Sequence, residues 1–281
     1  MSGAEEATLV LPTGLRLDDG WAREATVRSL RGADEELLLE TAAHGAAARV
    51  TALLARCLVR LGRLEAPGAE IARRLAAGDR EAILLETRRL TFGSRMPCLL
   101  SCPQDRCGEK LDLDLAVEDL LVAAGAEESE WIERTISVDG EQRRIRFRLP
   151  TGGDQEAVAE TALDDPAQAA RELVDRCVSS PEHVSPALAD SVAELMAELD
   201  PQAEIVLDLC CPACGGAFTA PFDAADYLFR EVAARESDLY AEVHLLALHY
   251  HWSEAEILGL APRRRRLYLE LLAESFPESV A

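Results

Sequence analysis

The order of apolar and polar residues divides the chain into short alternating stretches and longer Ala/Leu-rich ones. Period-two alternation runs through Leu111, Leu113 and Leu115, through Ile205, Leu207 and Leu209, and through Ile145, Phe147 and Leu149. Successive side chains of a strand point to opposite faces, so this pattern predicts half-buried strands. Residues 96–100 and 110–115 read as one strand pair, and 205–209 and 217–222 as another. Residues 135–138 and 144–149 form a third, joined by Asp139-Gly140, which supplies the positive φ angles of a tight hairpin turn. Asp19-Gly20 marks a similar turn near the N-terminus. In the 144–149 strand, Arg144, Arg146 and Arg148 take the face opposite Ile145, Phe147 and Leu149, which predicts a solvated arginine face. The two Leu-Pro-Thr-Gly segments, 11–14 and 149–152, read as turn chemistry.

The helical stretches are 33–41 and 154–162, both acidic at the start as the helix dipole favours, and 50–61, 79–90, 167–177 and 187–199. Toward the C-terminus, Ser237 is placed to cap a helix over 238–250. Ser253 and Glu256 have capping-box spacing for a short helix over 254–258, and Pro262 suits the first turn of a last helix over 263–273.

The chain also repeats itself. Fourteen positions between Asp19 and Cys57 recur identically 120 residues later, among them Arg28/Arg148, Gly32/Gly152, Asp34/Asp154, Glu36/Glu156, Arg56/Arg176 and Cys57/Cys177. A second match at an offset of 107 pairs Cys107/Cys214, Gly108/Gly215, Asp119/Asp226 and Leu121/Leu228. Each half then reads as hairpin, helices, strand, turn, strand, helix. The expected organisation is an α+β fold of two duplicated units, 8–122 and 135–231, and a helical C-terminal segment, 232–281.

Composition narrows the chemistry. The 281 residues carry a formal charge of −22, which disfavours nonspecific nucleic-acid binding and favours a basic partner. No apolar run is long enough for a membrane span, and Met1–Glu6 has no signal-peptide pattern, so a cytoplasmic protein is expected. No nucleophile elbow, phosphate loop, dinucleotide fingerprint or HExxH motif is present, so neither catalysis nor a small-molecule substrate is expected.

The densest chemical signal is a pair of knuckles. Cys102-Pro103-Gln104-Asp105-Arg106-Cys107-Gly108 and Cys211-Pro212-Ala213-Cys214-Gly215 each run Cys-Pro, tight turn, Cys-Gly. Each is half of a zinc ribbon. Cys102, Cys107, Cys211 and Cys214 together make a closed tetrahedral Zn²⁺ site with no position left for water or substrate. Cys98 and Cys210 adjoin these ligands, and only Cys211 gives the Cys-x-x-Cys spacing. Cys57 and Cys177 read as small buried apolar residues. His244, His249 and His251 lack a complementary ligand set for a second metal. Residues 252–266 have the outline of a helix-turn-helix with Arg263, Arg264, Arg265 and Arg266 toward phosphates. The acidic chain favours instead an amphipathic helix presenting Tyr268, Leu269 and Leu272 to a core or partner.

Taken together, Gly32-Ala33-Asp34-Glu35-Glu36, Leu90-Thr91-Phe92-Gly93, the two knuckles and residues 243–260 resemble the T-even-phage-type baseplate hub assembly family of contractile tails and phage-like injection systems. The resemblance covers roughly residues 8–275. The His-Trp-Ser-Glu-x-Glu-Ile-Leu stretch also looks like short helical tail-assembly proteins. It implies a non-enzymatic assembly role, with other baseplate, hub or tail proteins as partners and incorporation into a tail-like particle. The alternative class is a DNA-binding zinc-ribbon regulator.

Overall fold

Two strands open the chain, β1 (Glu6–Leu17) and β2 (Gly20–Arg28), paired antiparallel through the turn at Asp18 and Asp19. The computed structural model describes residues 5–275 apart from 124, 126, 127, 139, 182 and 183. Residues 1–4, Asp139 of the second Asp-Gly turn and residues 276–281 of the C-terminal segment therefore lie outside the described residues. The β1–β2 ladder is interrupted between Val10 and Leu15, where the Leu-Pro-Thr-Gly segment bulges and Gly14 takes φ +79°. The bulge frees the amides of Thr13 and Gly14, which donate instead to the two carboxylate oxygens of Asp79 at 2.8 and 2.9 Å.

Helices α1 (Gly32–Glu40) and α2 (Ala46–Cys57) follow, then β3 (Leu58–Leu61) and β4 (Leu64–Glu65), completing a sheet of order β1-β2-β3-β4. Next come α3 (Gly68–Arg74) and the long α4 (Ala77–Phe92). The first knuckle lies between β5 (Arg95–Ser101) and β6 (Lys110–Ala116), followed by α5 (Val117–Leu120). A three-stranded sheet, β7 (Ile132–Val138), β8 (Glu141–Phe147) and β9 (Val178–Ser180), encloses α6 (Gly152–Ala157), α7 (Ala159–Asp164) and α8 (Pro166–Cys177) between its second and third strands. Then come α9 (Pro186–Leu199), a 3₁₀ turn, and the second knuckle between β10 (Ile205–Cys210) and β11 (Ala217–Phe222). The chain ends in α10 (Ala224–Ala233), α11 (Glu236–Tyr250), α12 (Glu254–Leu258) and α13 (Pro262–Ser275). The fold class is α+β, and none of the described helices is long and apolar enough to cross a membrane.

Several expectations need correcting. The stretch 50–61 is not one helix: α2 stops at Cys57, and Leu58–Leu61 pairs with β2, with Gly62 turning the chain at φ +57°. The stretch 154–162 is two helices broken at Val158, where ψ rises to 2°. Ser237 does not cap α11, which begins at Glu236 with Arg235 as N-cap. The arginine face ends at Arg146, because Arg148 turns inward onto Asp154. The capping box at Ser253 and Glu256 forms as its spacing requires.

One feature recurs in both hairpin units. Arg28, at the end of β2, donates to both oxygens of Asp34, whose carboxylate also accepts the Arg31 amide at the start of α1. Arg148, just after β8, does the same to Asp154, which accepts the Thr151 amide at the start of α6. Arg56 reaches Asp34, and Arg176 reaches Asp154 at 3.1 Å. Cys57 and Cys177 close α2 and α8, are fully buried, and precede the strand that pairs with β2 or β8.

The largest apolar core joins β1–β3 with α1, α2 and α4, and it also takes in Leu228, Phe229 and Val232 of α10. A second core lies among β7, β8, α8 and α9, and a third among α11, α12 and α13. The N-terminus of α4 binds the first two of these together. Gly78 N donates to Asp200 beyond α9, and Ala77 N donates to Pro150 O. The fully buried Arg80 donates to Thr51 Oγ1, Ala72 O and Ala47 O. A Cβ at Gly78 would collide with the Asp200 carboxylate, which explains a glycine inside the first turn of a helix.

Candidate metal centre

Each knuckle is made by its backbone. In the first, Cys102 N donates to Glu109 O and Cys107 N to Gln104 O, while Arg106 and Gly108 take φ of +67° and +63°. In the second, Cys211 N donates to Gly216 O, Gly215 N to Cys211 O, and Gly216 N to Cys214 Sγ at 3.4 Å, with Gly215 at φ +70°. Left-handed backbone after the second cysteine turns the chain back and aims amides at sulfur, and glycine adopts it without steric cost. The Gln104 side chain donates across to Ala217 O at 3.2 Å, joining the two turns.

The four sequence-predicted ligands come together although the two knuckles are far apart in the chain. The sulfurs of Cys102, Cys107, Cys211 and Cys214 all lie within 4.8 Å of one another. Cys102–Cys214 and Cys107–Cys211 are each separated by 3.8 Å. A tetrahedral ion with metal–sulfur bonds of about 2.3 Å has ligand–ligand edges of about 3.8 Å, so the donors fit a small thiophilic cation. All four are free thiols. The amides of Cys214 and Ala213 lower the Cys211 thiol to about 7, while burial pushes Cys102 up to about 12 beside the other three sulfurs. The amides thus favour the thiolate of Cys211, while burial favours the protonated form of Cys102, which a cation's charge would offset. Cys98 and Cys210 stand outside the cluster, directed at Met96 O and Gly215 O. Cys57 and Cys177 are raised by burial, as inert core thiols are.

The apolar support at this tip is small: Cys102, Leu111 and Cys211 are buried, with Cys107 and Phe218 against them. The strands β5–β6 and β10–β11 are separate two-stranded ribbons, and such ribbons are marginal in water alone. Between the two knuckles lie this small apolar cluster, the Gln104–Ala217 bond and the four cysteines.

The other candidates fall away from chemistry. His251 is the left-handed C-cap of α11 at φ +57° rather than a member of its face, so it does not line up with His244. In the arginine run, Arg265 is fully buried, donating to Glu35 at 2.8 Å and Glu242 at 2.7 Å, and Arg263 pairs with Glu5. Of the four, Arg265 alone is buried onto carboxylates, Arg263 and Arg266 are exposed, and Leu272 enters the core with Tyr268 and Leu269 against it. Sequence reasoning missed Arg265 as a structural tie, because four consecutive arginines look alike until the helix phase is known.

The resemblance motifs also take on structure. Asp34 and Glu35 anchor Arg28 and Arg265, and Thr91 Oγ1 accepts from Leu30 N while donating to Thr87 O. Gly93 ends α4 at φ +98°.

Fold and site define an α+β protein whose distant segments are clasped by four thiols, with the polar anchors of the motifs buried in its interior. The family model described as "T4 bacteriophage base plate protein" matches residues 16–229, most of the chain, and the chain belongs to that family. No curated protein and no solved structure matches it. As a baseplate protein it has a structural or assembly role among baseplate or tail proteins.

Proposed function

We propose that this chain is a non-enzymatic structural or assembly protein, chaperone-like in action, of the baseplate hub in a contractile phage tail or phage-like injection system. In this reading it works in the cytoplasm and is incorporated into a tail-like particle. The family match carries the reading. The four-thiol cluster supports its non-enzymatic part, since a tetrahedral ion held by four protein sulfurs keeps no position for a reactant. Zinc is the ion proposed, held by Cys102, Cys107, Cys211 and Cys214, because a spectator d¹⁰ ion suits a site whose task is to fix two turns.

The scaffold is proposed to be an internal duplication, with units 8–122 and 135–231 followed by the segment 232–281. Supporting it are the Arg28–Asp34 and Arg148–Asp154 pairs, the buried Cys57 and Cys177, and a strand after each that returns to its own hairpin. Each unit then contributes one knuckle to the zinc site, and the second also contributes α10 to the first core. The test is co-expression of the tagged full chain with sheath, tube and baseplate proteins of a contractile tail. Stable co-purification with a baseplate component is expected. Recovery of transcription machinery alone, or retention on DNA at low salt, would overturn the reading.

A further inference from the structure

A cleft of about 380 Å³ lies where the first hairpin unit meets the second, within the size range of ligand sites. The two Leu-Pro-Thr-Gly segments, which the repeat register does not align, converge here: Thr13 and Gly14 on one wall, Leu149 and Thr151 on the other. Both are held by the start of α4, through Asp79 on one side and Ala77 on the other. The floor is apolar, with Leu15, Leu149 and the half-buried Trp21, whose indole is fixed by a 2.9 Å bond to Thr13 O. Thr13 is 8% exposed, and its hydroxyl has no hydrogen-bond partner.

The charge of this cleft is opposite to that of the chain. Five arginines line it, Arg16, Arg73, Arg74, Arg148 and Arg176, against the carboxylates of Glu130 and Asp154, while the chain carries −22. Arg148 and Arg176 are committed to Asp154, and Arg73 to Glu156 and Glu70. Arg16 and Arg74 are exposed and make no ion pair with any described carboxylate; Arg74 only donates to the Arg16 carbonyl. Two uncompensated guanidiniums beside an apolar floor are the donor set for a carboxylate flanked by apolar side chains.

We infer that this cleft docks an acidic, partly apolar peptide segment of a partner protein, with its carboxylates on Arg16 and Arg74 and its apolar residues on Leu15, Trp21 and Leu149. A peptide fits better than a nucleic acid. The whole chain, at −22, repels a polyanion, and Arg143 and Arg144 on the β8 hairpin are already paired with Glu141 and Glu133. The inference depends on neither the metal nor the hub reading and would stand if co-purification failed.

The experiment uses the full-length protein, with anisotropy of a fluorescein-labelled peptide of alternating Glu and Leu at low salt and labelled oligo-dT in parallel. Saturable peptide binding that weakens with added salt is expected. Arg16→Glu/Arg74→Glu should weaken it at least about tenfold, while Arg143→Glu/Arg144→Glu on the hairpin leaves it unchanged. Should the double reversal fail to fold, Arg16→Ala reads the same site with a smaller loss. No saturable binding, equal affinity in the Arg16 variants, or tighter binding of oligo-dT would overturn the inference.

Discussion

Replacing Asp154 by Asn keeps the shape of the side chain and removes its charge, so it isolates one ion-pair node of the second hairpin unit. The side chain is 3% exposed and accepts from Arg148 at 2.9 Å, the Thr151 amide at 3.0 Å, the Thr151 hydroxyl at 2.7 Å and Arg176 at 3.1 Å. Burial by itself would raise this carboxyl, but the bonds from Arg148 and Thr151 outweigh it and hold it at about 2, against its ordinary 3.8. A depressed acid binds fewer protons folded than unfolded, so its contribution is full above about pH 4 and is lost as pH falls toward 2. The shift corresponds to about 2 kcal/mol, cut to about 1–2 because Arg176 is 47% exposed and water screens it. The Asn also leaves Arg148 partly buried without its counter-charge, which brings the expected loss to about 2–3 kcal/mol. Urea unfolding at pH 7 measures it, with the slope unchanged. The loss should stay constant from pH 8 to pH 5. A loss under about 0.5 kcal/mol, or one that shrinks within that range, would refute the reasoning.

Further outcomes follow from the same geometry. Asp34→Asn leaves the buried Arg28 without its counter-charge in the first unit and should cost about 1–3 kcal/mol by the same assay. Asp79 is raised to about 7 by burial, partly countered by the amides of Thr13 and Gly14 and reinforced by Asp200. Its charged form therefore opposes folding as pH rises, and the penalty of Asp79→Asn should shrink between pH 5 and pH 8. Arg265→Met strands Glu35 and Glu242 and should cost about 3–5 kcal/mol, read as a lower Tm and faster proteolysis between α11 and α13. Gly78→Ala drives a methyl into the Asp200 carboxylate and should lower Tm by an amount equivalent to about 1–3 kcal/mol.

What could be read from sequence was what local chemistry decides. The ribbon strands, the knuckle turns and the Ser253–Glu256 capping box depend on residues a few positions apart, and they form where the pattern put them, with the four knuckle cysteines gathered in one cluster. The α+β class followed from the same patterns. What was missed depends on partners far along the chain. Leu58–Leu61 has the composition of a helix end, and only pairing with β2 makes it a strand. Arg148 fits the alternation of an exposed face, and only the return of α6 brings Asp154 beneath it. Arg265 is one of four consecutive arginines, and only the packing of α13 on α1 and α11 selects it for burial. The packing of α10 into the first core has no local signal at all.

The central claim is that one ion on four thiolates closes the scaffold on itself. Metal analysis of the purified full chain and its Cys214→Ser variant, each with its thermal unfolding, tests it most directly. The account predicts one zinc per wild-type chain, and loss of both the zinc and the stability of the joined ribbons in the variant, with Cys98→Ser and Cys210→Ser unchanged. A wild-type chain folded without metal, iron in place of zinc, or a variant that keeps a full equivalent of zinc would contradict it.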